Sequence, residues 1–394
     1  MRIGIDCLLF DSSYVGGLNT YVIGLIGAFL ERPRGHTFTI FCTRRNRATF
    51  AQFEGFSAAS ICQVSREKGV TSRLLKLWAL LLRDERAWTS GANREMLLAK
   101  GEISARCDIL YSPLTTLTCF DLPIPTILSM HDIQHVHHPE FFTWKERALR
   151  RVQFNASAMA ATYIQSSSAY TRNDILAYYK CRSADDIIVI HEGVDVAAFS
   201  APPRVDVRAK YGLPDKFLFF PAQLWPHKNH IRLLNALRSI YAKNETKIPL
   251  VMTGGGFSAG SQVLNYIAAK KMDYVRYLGK VPFDELEGLY HQAWFLIMPT
   301  LHESSSLPIL EAAAAGLPIL ASDIPPIREQ AQYLAVNTFD PYNEESIAAC
   351  ILRHWSDEKL RRNQVAQNRL GVRRFAWCEV ASKYLEFVES VEET

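Results

Sequence analysis

Short apolar runs alternate with longer amphipathic stretches along almost the whole chain. The apolar runs are rich in β-branched and aromatic residues and predict buried strands at 3–8, 37–42, 108–111, 126–129, 163–165, 187–190, 217–221, 250–253, 275–278, 295–298 and 318–321. Stretches with helical spacing lie between them, for example at 19–30. This alternation predicts an α/β protein whose parallel sheets are covered by helices on both faces.

A break in the pattern divides the chain near its middle. Pro202 and Pro203 follow each other there, and consecutive prolines end regular structure and suit a linker between domains. Each half is long enough to bury its own core. The pattern predicts an N-terminal domain at 1–200, a second domain at 205–372 and a final amphipathic helix within 373–394.

The composition is that of an ordinary globular protein. Of the 394 residues, 48% are hydrophobic and 21% are charged, and 44 Lys and Arg face 40 Asp and Glu for a net charge of +4. This balance argues against a dedicated nucleic-acid-binding protein, although local basic patches remain compatible with it.

The spacing of the cysteines and the first residues of the chain indicate in which cellular compartment the protein is expected. No two of the eight cysteines are spaced as a C-x-x-C pair, so we expect reduced, buried thiols and no zinc site. The chain enters a strand-like pattern at once, without a signal peptide, and its apolar stretches are shorter than the roughly 18–20 residues of a membrane span. We therefore expect a cytoplasmic protein, with any membrane contact at the inner face.

The segment 65–88 combines apolar and basic residues with helical spacing. Its cations are Arg66, Lys68, Arg73, Lys76, Arg83 and Arg86. One interpretation is a packed helix with a solvated basic face. The other is an amphipathic helix that lies on an anionic bilayer. The sequence leaves both open.

The segment 301–322 carries the strongest chemical pattern. Pro308 suits the first turn of a helix and Gly316 suits its end. The helix would begin after three serines, so the amides of Ser304, Ser305, Ser306 and Leu307 would form an anion site suited to a diphosphate. Glu303 precedes this loop, and we place Glu311 in the first turn of the helix. Taken singly, each glutamate has an alternative interpretation: Glu311 complements the helix dipole, and Glu303 is a solvated loop residue.

Three other positions are candidates for binding. Lys228 lies at a predicted helix start, where a cation is unfavourable unless an anion pairs with it. Gly16 and Gly17 follow the first predicted strand, where a glycine pair forms either a tight turn or a close approach to phosphate. His131 follows the predicted strand 126–129, at the edge where parallel sheets bind ligands, although a structural histidine is an equal alternative.

The ordered set of motifs resembles retaining glycosyltransferase family 4. Glu303 and Glu311 form an E-x7-E pattern, followed by an alanine-rich helix, Gly316, a Leu-Pro pair and a strand. Three serines stand where the family usually has Gly-Phe-Gly. The resemblance implies two Rossmann-like domains facing across a cleft, the GT-B fold, with the last helix crossing back to the N-terminal domain. It also implies a nucleotide-sugar donor held by the second domain and no metal cofactor.

The same resemblance implies roles for individual residues. Glu303 would contact the donor sugar, Glu311 the ribose hydroxyls, and His131 the reacting sugar. Other donor-binding positions would be Gly16, Gly17, Gln223 in place of a family arginine, Lys228 on the diphosphate, Gly254, Ser304, Ser305, Ser306 and Leu307.

The sequence thus predicts a retaining, metal-independent glycosyltransferase. GDP-mannose is the expected donor, and the acceptor is a saccharide or a lipid-linked saccharide. Alternatives are a nucleotide-sugar epimerase and an inactive nucleotide-sugar-binding protein. An oxidoreductase is disfavoured, because the turn after the first strand lacks G-x-G-x-x-G. His135, His137 and His138 match no common zinc spacing.

Overall fold

The structure, a computed structural model, describes residues 1–11, 16–67, 69–180 and 182–392. These residues form two compact units. The first comprises Met1–His191 together with the chain from Val380 onward, and the second comprises Glu192–Glu379.

The first unit is built on a seven-stranded parallel sheet. Its strands are β1 (Arg2–Asp6), β2 (Thr37–Cys42), β3 (Ala59–Gln63), β4 (Ile109–Ser112), β5 (Thr126–Ser129), β6 (Tyr163–Ser166) and β7 (Ile187–Val189). They lie in the order β3-β2-β1-β4-β5-β6-β7. The order reverses between β1 and β4, and the loops that follow these two strands therefore diverge.

The second unit repeats this plan with six parallel strands. They are β8 (Leu218–Pro221), β9 (Leu250–Thr253), β10 (Val275–Tyr277), β11 (Phe295–Met298), β12 (Ile319–Ser322) and β13 (Asn337–Phe339). Their order is β10-β9-β8-β11-β12-β13, so the reversal falls between β8 and β11. This arrangement confirms the predicted α/β architecture with two parallel sheets.

Helices connect the strands in both units. Those of the first half are α1 (Gly17–Glu31), α2 (Arg47–Phe50), α3 (Val70–Leu82), α4 (Glu85–Glu95), α5 (Leu97–Arg106), α6 (Gln134–His137), α7 (Trp144–Ala160) and α8 (Ala169–Tyr178). Those that follow are α9 (Val196–Ser200), α10 (Val207–Tyr211), α11 (His230–Asn244), α12 (Gly260–Ala269), α13 (Phe283–Gln292), α14 (Leu307–Ala315), α15 (Pro325–Gln330), α16 (Glu344–Trp355), α17 (Glu358–Gly371) and α18 (Trp377–Glu392).

The chain passes from the first unit to the second between His191 and Glu192, before the proline pair. Phe199 is 2% exposed and belongs to the core of the second unit, where its ring meets those of Phe283 and Tyr290. Residues 192–200 are therefore part of the second unit and not the end of the first. Pro202 and Pro203 lie in an exposed loop of the second unit, which explains the apparent linker.

The segment 65–88 contributes to the helices α3 and α4. Of these, α3 exposes its large apolar residues instead of burying them. α3 buries its small residues Ser72 and Ala79. It packs closely on α4, where a Cβ on Gly91 would lie 3.0 Å from the carbonyl oxygen of Ser72. The opposite face, here called the apolar stripe, is exposed and consists of Val70, Leu74, Leu77, Trp78, Leu81 and Leu82. The helix is therefore packed through its small residues, while its large apolar residues, which a packed amphipathic helix would bury, are exposed.

Two of the cations of this segment, Arg66 and Lys76, pair with a buried carboxylate instead of facing solvent. Arg66 and Lys76 each approach a different carboxylate oxygen of Glu95 at 2.8 Å, and the Glu95 side chain is only 5% exposed. Arg73, Arg83 and Arg86 are exposed, and Lys68 lies outside the described residues.

Two further sequence expectations concern cysteines and membrane spans. The seven cysteines within the described ranges are free thiols and six of them are buried, while Cys181 lies outside those ranges. None of the described helices combines the length and the apolar character that crossing a bilayer requires.

Candidate functional site

The candidate donor site lies where the strand order of the second sheet reverses. The loop after β8 contains Lys228, and the loop after β11 contains Glu303. At such a reversal the two loops leave the sheet in opposite directions and open a crevice at the carboxyl ends of the strands. Lys228 and Glu303 therefore belong to the position at which open α/β sheets bind ligands.

Backbone and amide hydrogen bonds tie these two loops together. The amide of Leu301 donates to the carbonyl of His227 at 2.8 Å. Asn229 adopts a φ of +65°, a conformation that asparagine tolerates, and its buried side-chain amide donates to the carbonyls of Pro299 and Pro341. The loops are thereby held in register, which sets the positions of Lys228 and Glu303.

Lys228 and Glu303 contact each other directly. The Lys228 ammonium donates to Oε1 of Glu303 at 2.6 Å, and the two side chains are 17% and 10% exposed. Burial raises the pKa of the Glu303 carboxyl, and the neighbouring Lys228 ammonium opposes that shift. The sequence predicted both residues in the site but not that they form an ion pair.

The serine loop leads into the amino terminus of α14. Ser306 is the N-cap residue, yet its side chain caps no amide, and its hydroxyl is buried without a hydrogen-bond partner among the described residues. The amides at the start of a helix have no partner within the helix, and together with the helix dipole they favour an anion. The structure therefore places Ser304, Ser305, Ser306 and Leu307 at the amino terminus of α14, where an anion site remains a prediction.

Gln330 of α15 fixes this loop and was not found by sequence reasoning. Its side-chain amide donates to the Ser305 hydroxyl and to the Ser306 carbonyl, at 3.3 Å each. The residue is 3% exposed. A lone glutamine on a short helix carries no pattern that would have marked it.

Glu311 lies just beyond the first turn of the helix, in which it was predicted. α14 begins at Leu307, so Glu311 is its fifth residue and lies outside the first turn. The hydroxyl of Tyr290, which is fully buried on α13, donates to Oε2 of Glu311 at 2.5 Å. Burial raises the pKa of Glu311 to about 7, because Tyr290 is a neutral partner and compensates only in part.

Gln223 and Gly254 lie on the same edge of the second sheet. Gln223 accepts a hydrogen bond from the indole N–H of Trp225 at 2.8 Å. Gly254 has a φ of +125°, and a Cβ there would lie 2.6 Å from the carbonyl oxygen of Ala222. Only glycine therefore allows the loop after β9 to pack against the loop after β8.

Gly16 and Gly17 belong to the first unit, at the start of α1. Gly16 is the N-cap residue of this 15-residue helix, and Gly17 is its first residue. No acidic residue occupies the first turn and no side chain caps it. Residues 14–15 of the predicted glycine loop lie outside the described residues. Among the residues that the structure describes, no acidic side chain of the helix itself offsets the positive end of the α1 dipole in its first turn.

His131 follows β5 at the carboxyl edge of the first sheet. Its Nε2 lies 2.9 Å from the carbonyl oxygen of Pro113. A carbonyl only accepts, so Nε2 carries a proton in this contact. The ring of Tyr21 meets the His131 ring edge-on, with centroids 4.9 Å apart. The imidazole is therefore held in one orientation.

The other histidines of this segment point to different partners. His137 bonds the Asp174 carboxylate at 2.6 Å, and His138 bonds Glu140 at 3.1 Å. His135 is buried against the ring of Phe154, and burial lowers its pKa to about 4. Within the described ranges, no cluster of three or more His, Cys, Asp or Glu side chains is arranged to hold a metal ion.

Two family models match consecutive regions of the chain. The model described as Glycosyltransferase Family 4 matches residues 15–198. The model described as Glycosyl transferases group 1 matches residues 205–370. Together they cover most of the chain. The protein therefore belongs to the glycosyltransferases that combine these two regions, which confirms the family resemblance.

Individual relatives are more distant. O-antigen chain mannosyltransferase B of Escherichia coli is 25% identical over 257 residues, which are 64% of this chain and 66% of the relative. The serotype-specific mannosyltransferase WbdA of Escherichia coli is 24% identical over 70% of this chain and 35% of its own length. The matched regions thus span less than two thirds of these relatives.

A solved structure shares the fold over the full length. Anabaena HepE, in a crystal structure with UDP and glucose, superposes with a TM-score of 0.74 over 99% of this chain and 100% of its own. The sequence identity is 16%. This likeness confirms the two-domain α/β fold of GT-B glycosyltransferases.

Proposed function

We propose that the protein transfers a sugar from a nucleoside-diphosphate donor to a saccharide acceptor, with retention of the anomeric configuration. The observation that carries the proposal is the Lys228–Glu303 contact at the reversal of the second sheet, beside the amino terminus of α14, whose N-cap side chain makes no capping bond. A cation, a carboxylate and a helix amino terminus at one crevice suit a ligand that joins a sugar to a diphosphate.

Lys228 and the amides act on the leaving group. The bond from the anomeric carbon to the diphosphate oxygen breaks, and its electron pair stays on the phosphate. A lysine ammonium has three donors, so Lys228 can bond a phosphate oxygen while it keeps its contact with Glu303. The amides at 304–307 bind the same developing charge.

Glu303 acts on the sugar side of the breaking bond. Positive charge accumulates on the ring in an oxocarbenium-like transition state, and a carboxylate close to the ring stabilises it. The acceptor oxygen then bonds the anomeric carbon, and its proton passes to the departing phosphate. We assign no residue as nucleophile and no metal cofactor, and from the family resemblance we give His131 a role at the reacting sugar.

The donor is proposed to be GDP-mannose, with Glu311 accepting hydrogen bonds from the ribose. The mannosyltransferase relatives support this choice. Ionised Glu311 is the better acceptor, so nucleotide affinity should rise as pH increases through about 7. An epimerase or an inactive binding protein is not favoured by the family matches.

The test is a panel of donors scored for nucleotide release, with and without EDTA and a lipid-phosphate acceptor. The panel contains GDP-mannose, UDP-glucose, UDP-galactose and dTDP-rhamnose. Release from GDP-mannose that survives EDTA supports the proposal. Release from another donor overturns the choice of mannose, and release abolished by EDTA overturns metal independence.

Two variants test the role of Glu303. Glu303→Ala and the shape-conserving Glu303→Gln should each nearly abolish turnover, while calorimetry still detects nucleotide binding. Glu345→Gln, a change at an exposed glutamate of the same unit, serves as the matched control. Turnover near the wild-type rate in Glu303→Gln would remove this carboxylate from the mechanism.

We also propose that the apolar stripe of α3 rests on an anionic membrane, which suits a lipid-linked acceptor. Leu74, Leu77 and Leu81 are 59%, 54% and 68% exposed on one helix face. Contiguous apolar surface of this kind is unusual on a free protein, and Arg73 and Arg83 beside it suit acidic headgroups.

Co-sedimentation with vesicles tests this contact. The wild type should bind phosphatidylglycerol vesicles more strongly than phosphatidylcholine vesicles. Leu74→Gln combined with Leu77→Gln and Leu81→Gln should remove binding. Leu370→Gln, at a leucine 69% exposed in the second unit, should leave it unchanged. Equal sedimentation of the triple variant and the wild type would contradict the proposal.

A further inference from the structure

A large cavity lies at the carboxyl edge of the first sheet, on the β3 side of the reversal between β1 and β4. It has a volume of about 770 Å³ and is lined by residues 8–11, 43–46 and 63–66, which follow β1, β2 and β3. Cavities of this size hold ligands of one or two sugar units with a substituent. None of the residues assigned to the donor lies in it.

The floor of the cavity is preformed by Asn46, which is 2% exposed. Its side-chain amide donates to the carbonyls of Cys7 at 2.8 Å and of Phe10 at 2.9 Å. Its Oδ1 accepts from the amide and the hydroxyl of Thr43. Asn46 thus ties the loop after β1 to the loop after β2 on this side of the cavity.

The charge of the lining is predominantly positive. It contains Arg44, Arg45 and Arg66, against the single carboxylate of Asp11. Arg66 pairs with the buried Glu95, which Lys76 also neutralises.

Arg44 and Arg45 differ from the arginine that follows them. Both are exposed, and neither forms an ion pair or side-chain hydrogen bond with a described residue. Arg47, two residues further on, instead pairs with Glu54 at 2.9 Å. The cavity therefore presents two adjacent guanidinium groups that the described residues of the protein do not engage.

We infer that this cavity binds an acidic group of the acceptor, a phosphate or a carboxylate, through Arg44 and Arg45. The inference rests on the proposed function, because it assigns the acceptor to the unit that does not hold the donor diphosphate. Guanidinium groups pair with phosphate and carboxylate through two parallel hydrogen bonds, which a neutral hydroxyl cannot match. The cavity thus selects acidic saccharides over neutral ones.

Direct binding in the absence of donor tests the inference. The probes are mannose 6-phosphate, glucuronic acid and mannose, titrated by calorimetry into the wild type and into the Arg44→Ala/Arg45→Ala double variant. Arg47→Ala is the matched control. The double variant should bind the preferred acidic probe roughly tenfold to a hundredfold more weakly, as expected for lost charge-assisted hydrogen bonds. Its affinity for mannose should stay unchanged.

Each outcome has a defined meaning. Preference for mannose 6-phosphate identifies phosphate as the recognised group, and preference for glucuronic acid identifies a carboxylate. Equal affinity of the double variant and the wild type for both acidic probes overturns the inference, as does equal affinity of the wild type for all three probes. Hydrogen exchange should place the protection at 43–47 and 63–66. Failure of the donor panel with acidic-probe binding intact would refute the proposed function and not the cavity assignment.

Discussion

At the residue scale, the candidate donor site contains two glutamates in unlike surroundings. Glu303 faces the Lys228 ammonium, whereas Glu311 faces the neutral hydroxyl of Tyr290. The E-x7-E spacing was enough to name both glutamates. It could not reveal their partners, because Lys228 and Tyr290 lie on other elements that only the folded sheet brings near.

Replacement of Glu311 by glutamine should change how stability depends on pH. Burial raises the pKa of Glu311 to about 7 in the folded protein, whereas the unfolded chain releases this proton near the ordinary glutamate pKa of 4.5. Stability therefore falls as pH rises through this window, by about 1–3 kcal/mol. Glu311→Gln keeps an acceptor for Tyr290 but does not ionise, so it should melt a few degrees above the wild type at pH 8 and equally at pH 4.5.

Melting curves between pH 4.5 and pH 8, recorded without nucleotide, check this expectation. The exposed Glu345→Gln variant should follow the wild type at every pH. A difference between Glu311→Gln and the wild type that stays constant with pH would show that the carboxyl of Glu311 does not titrate in this window.

At the element scale, the sequence predicted those strands in which a continuous apolar run coincides with burial on both faces of the sheet. The central strands are continuous apolar runs because helices cover both faces of each sheet. The edge strands β3 and β13 were missed, because Ser60 and Gln63 interrupt the apolar residues of β3 and Phe339 is the one apolar residue of β13. The apolar stripe of α3 was visible in the sequence. Its exposure was not, because the close contact through Gly91 lies on the next helix.

A contact between two segments that are distant in the sequence leaves no room for a side chain at position Gly193. Val194 pairs with Ala376, and this pairing lays Gly193 on the indole of Trp377. A Cβ on Gly193 would lie 2.2 Å from a ring carbon of Trp377. The paired backbone cannot move away freely, so Gly193→Ala should lower the free energy of unfolding by about 1–3 kcal/mol.

Urea denaturation measures this loss, and two comparisons make it specific. Gly55→Ala introduces a methyl group that meets nothing within 4 Å and should leave the midpoint nearly unchanged. Trp377→Leu should partly restore stability in the Gly193→Ala background, because leucine leaves room for the methyl group. An unchanged midpoint in Gly193→Ala would mean that the indole relocates without cost.

At the scale of the whole molecule, each unit has its own sheet, core and carboxyl edge. The alternation of strands and helices predicted two such sheets, but it placed the boundary at the conspicuous prolines. The sequence could not show where the chain enters the second unit, because that depends on the core into which Phe199 packs. The last residues of the chain return to the first unit, where Tyr384 is buried.

Substitution of Tyr384 tests whether the two units unfold independently of each other. Its hydroxyl bonds those of Tyr21 and Tyr111, and its ring packs on Phe29, all within the first unit. Tyr384→Ala leaves a cavity and unpaired hydroxyls, so it should destabilise that unit by about 3–5 kcal/mol. The proposed donor site of the second unit contains none of these residues, and nucleotide affinity should persist in the variant.

Hydrogen exchange of peptides from each unit, with nucleotide titrated by calorimetry, resolves the two effects. Exchange should accelerate in β1, β4 and α1 and remain unchanged in β8, β11 and α14. Tyr178→Ala, at a tyrosine 38% exposed in the first unit, should alter neither quantity. If Tyr384→Ala also abolished nucleotide binding, the second unit would depend on the first for its fold. The donor site could then no longer be regarded as the property of one sheet.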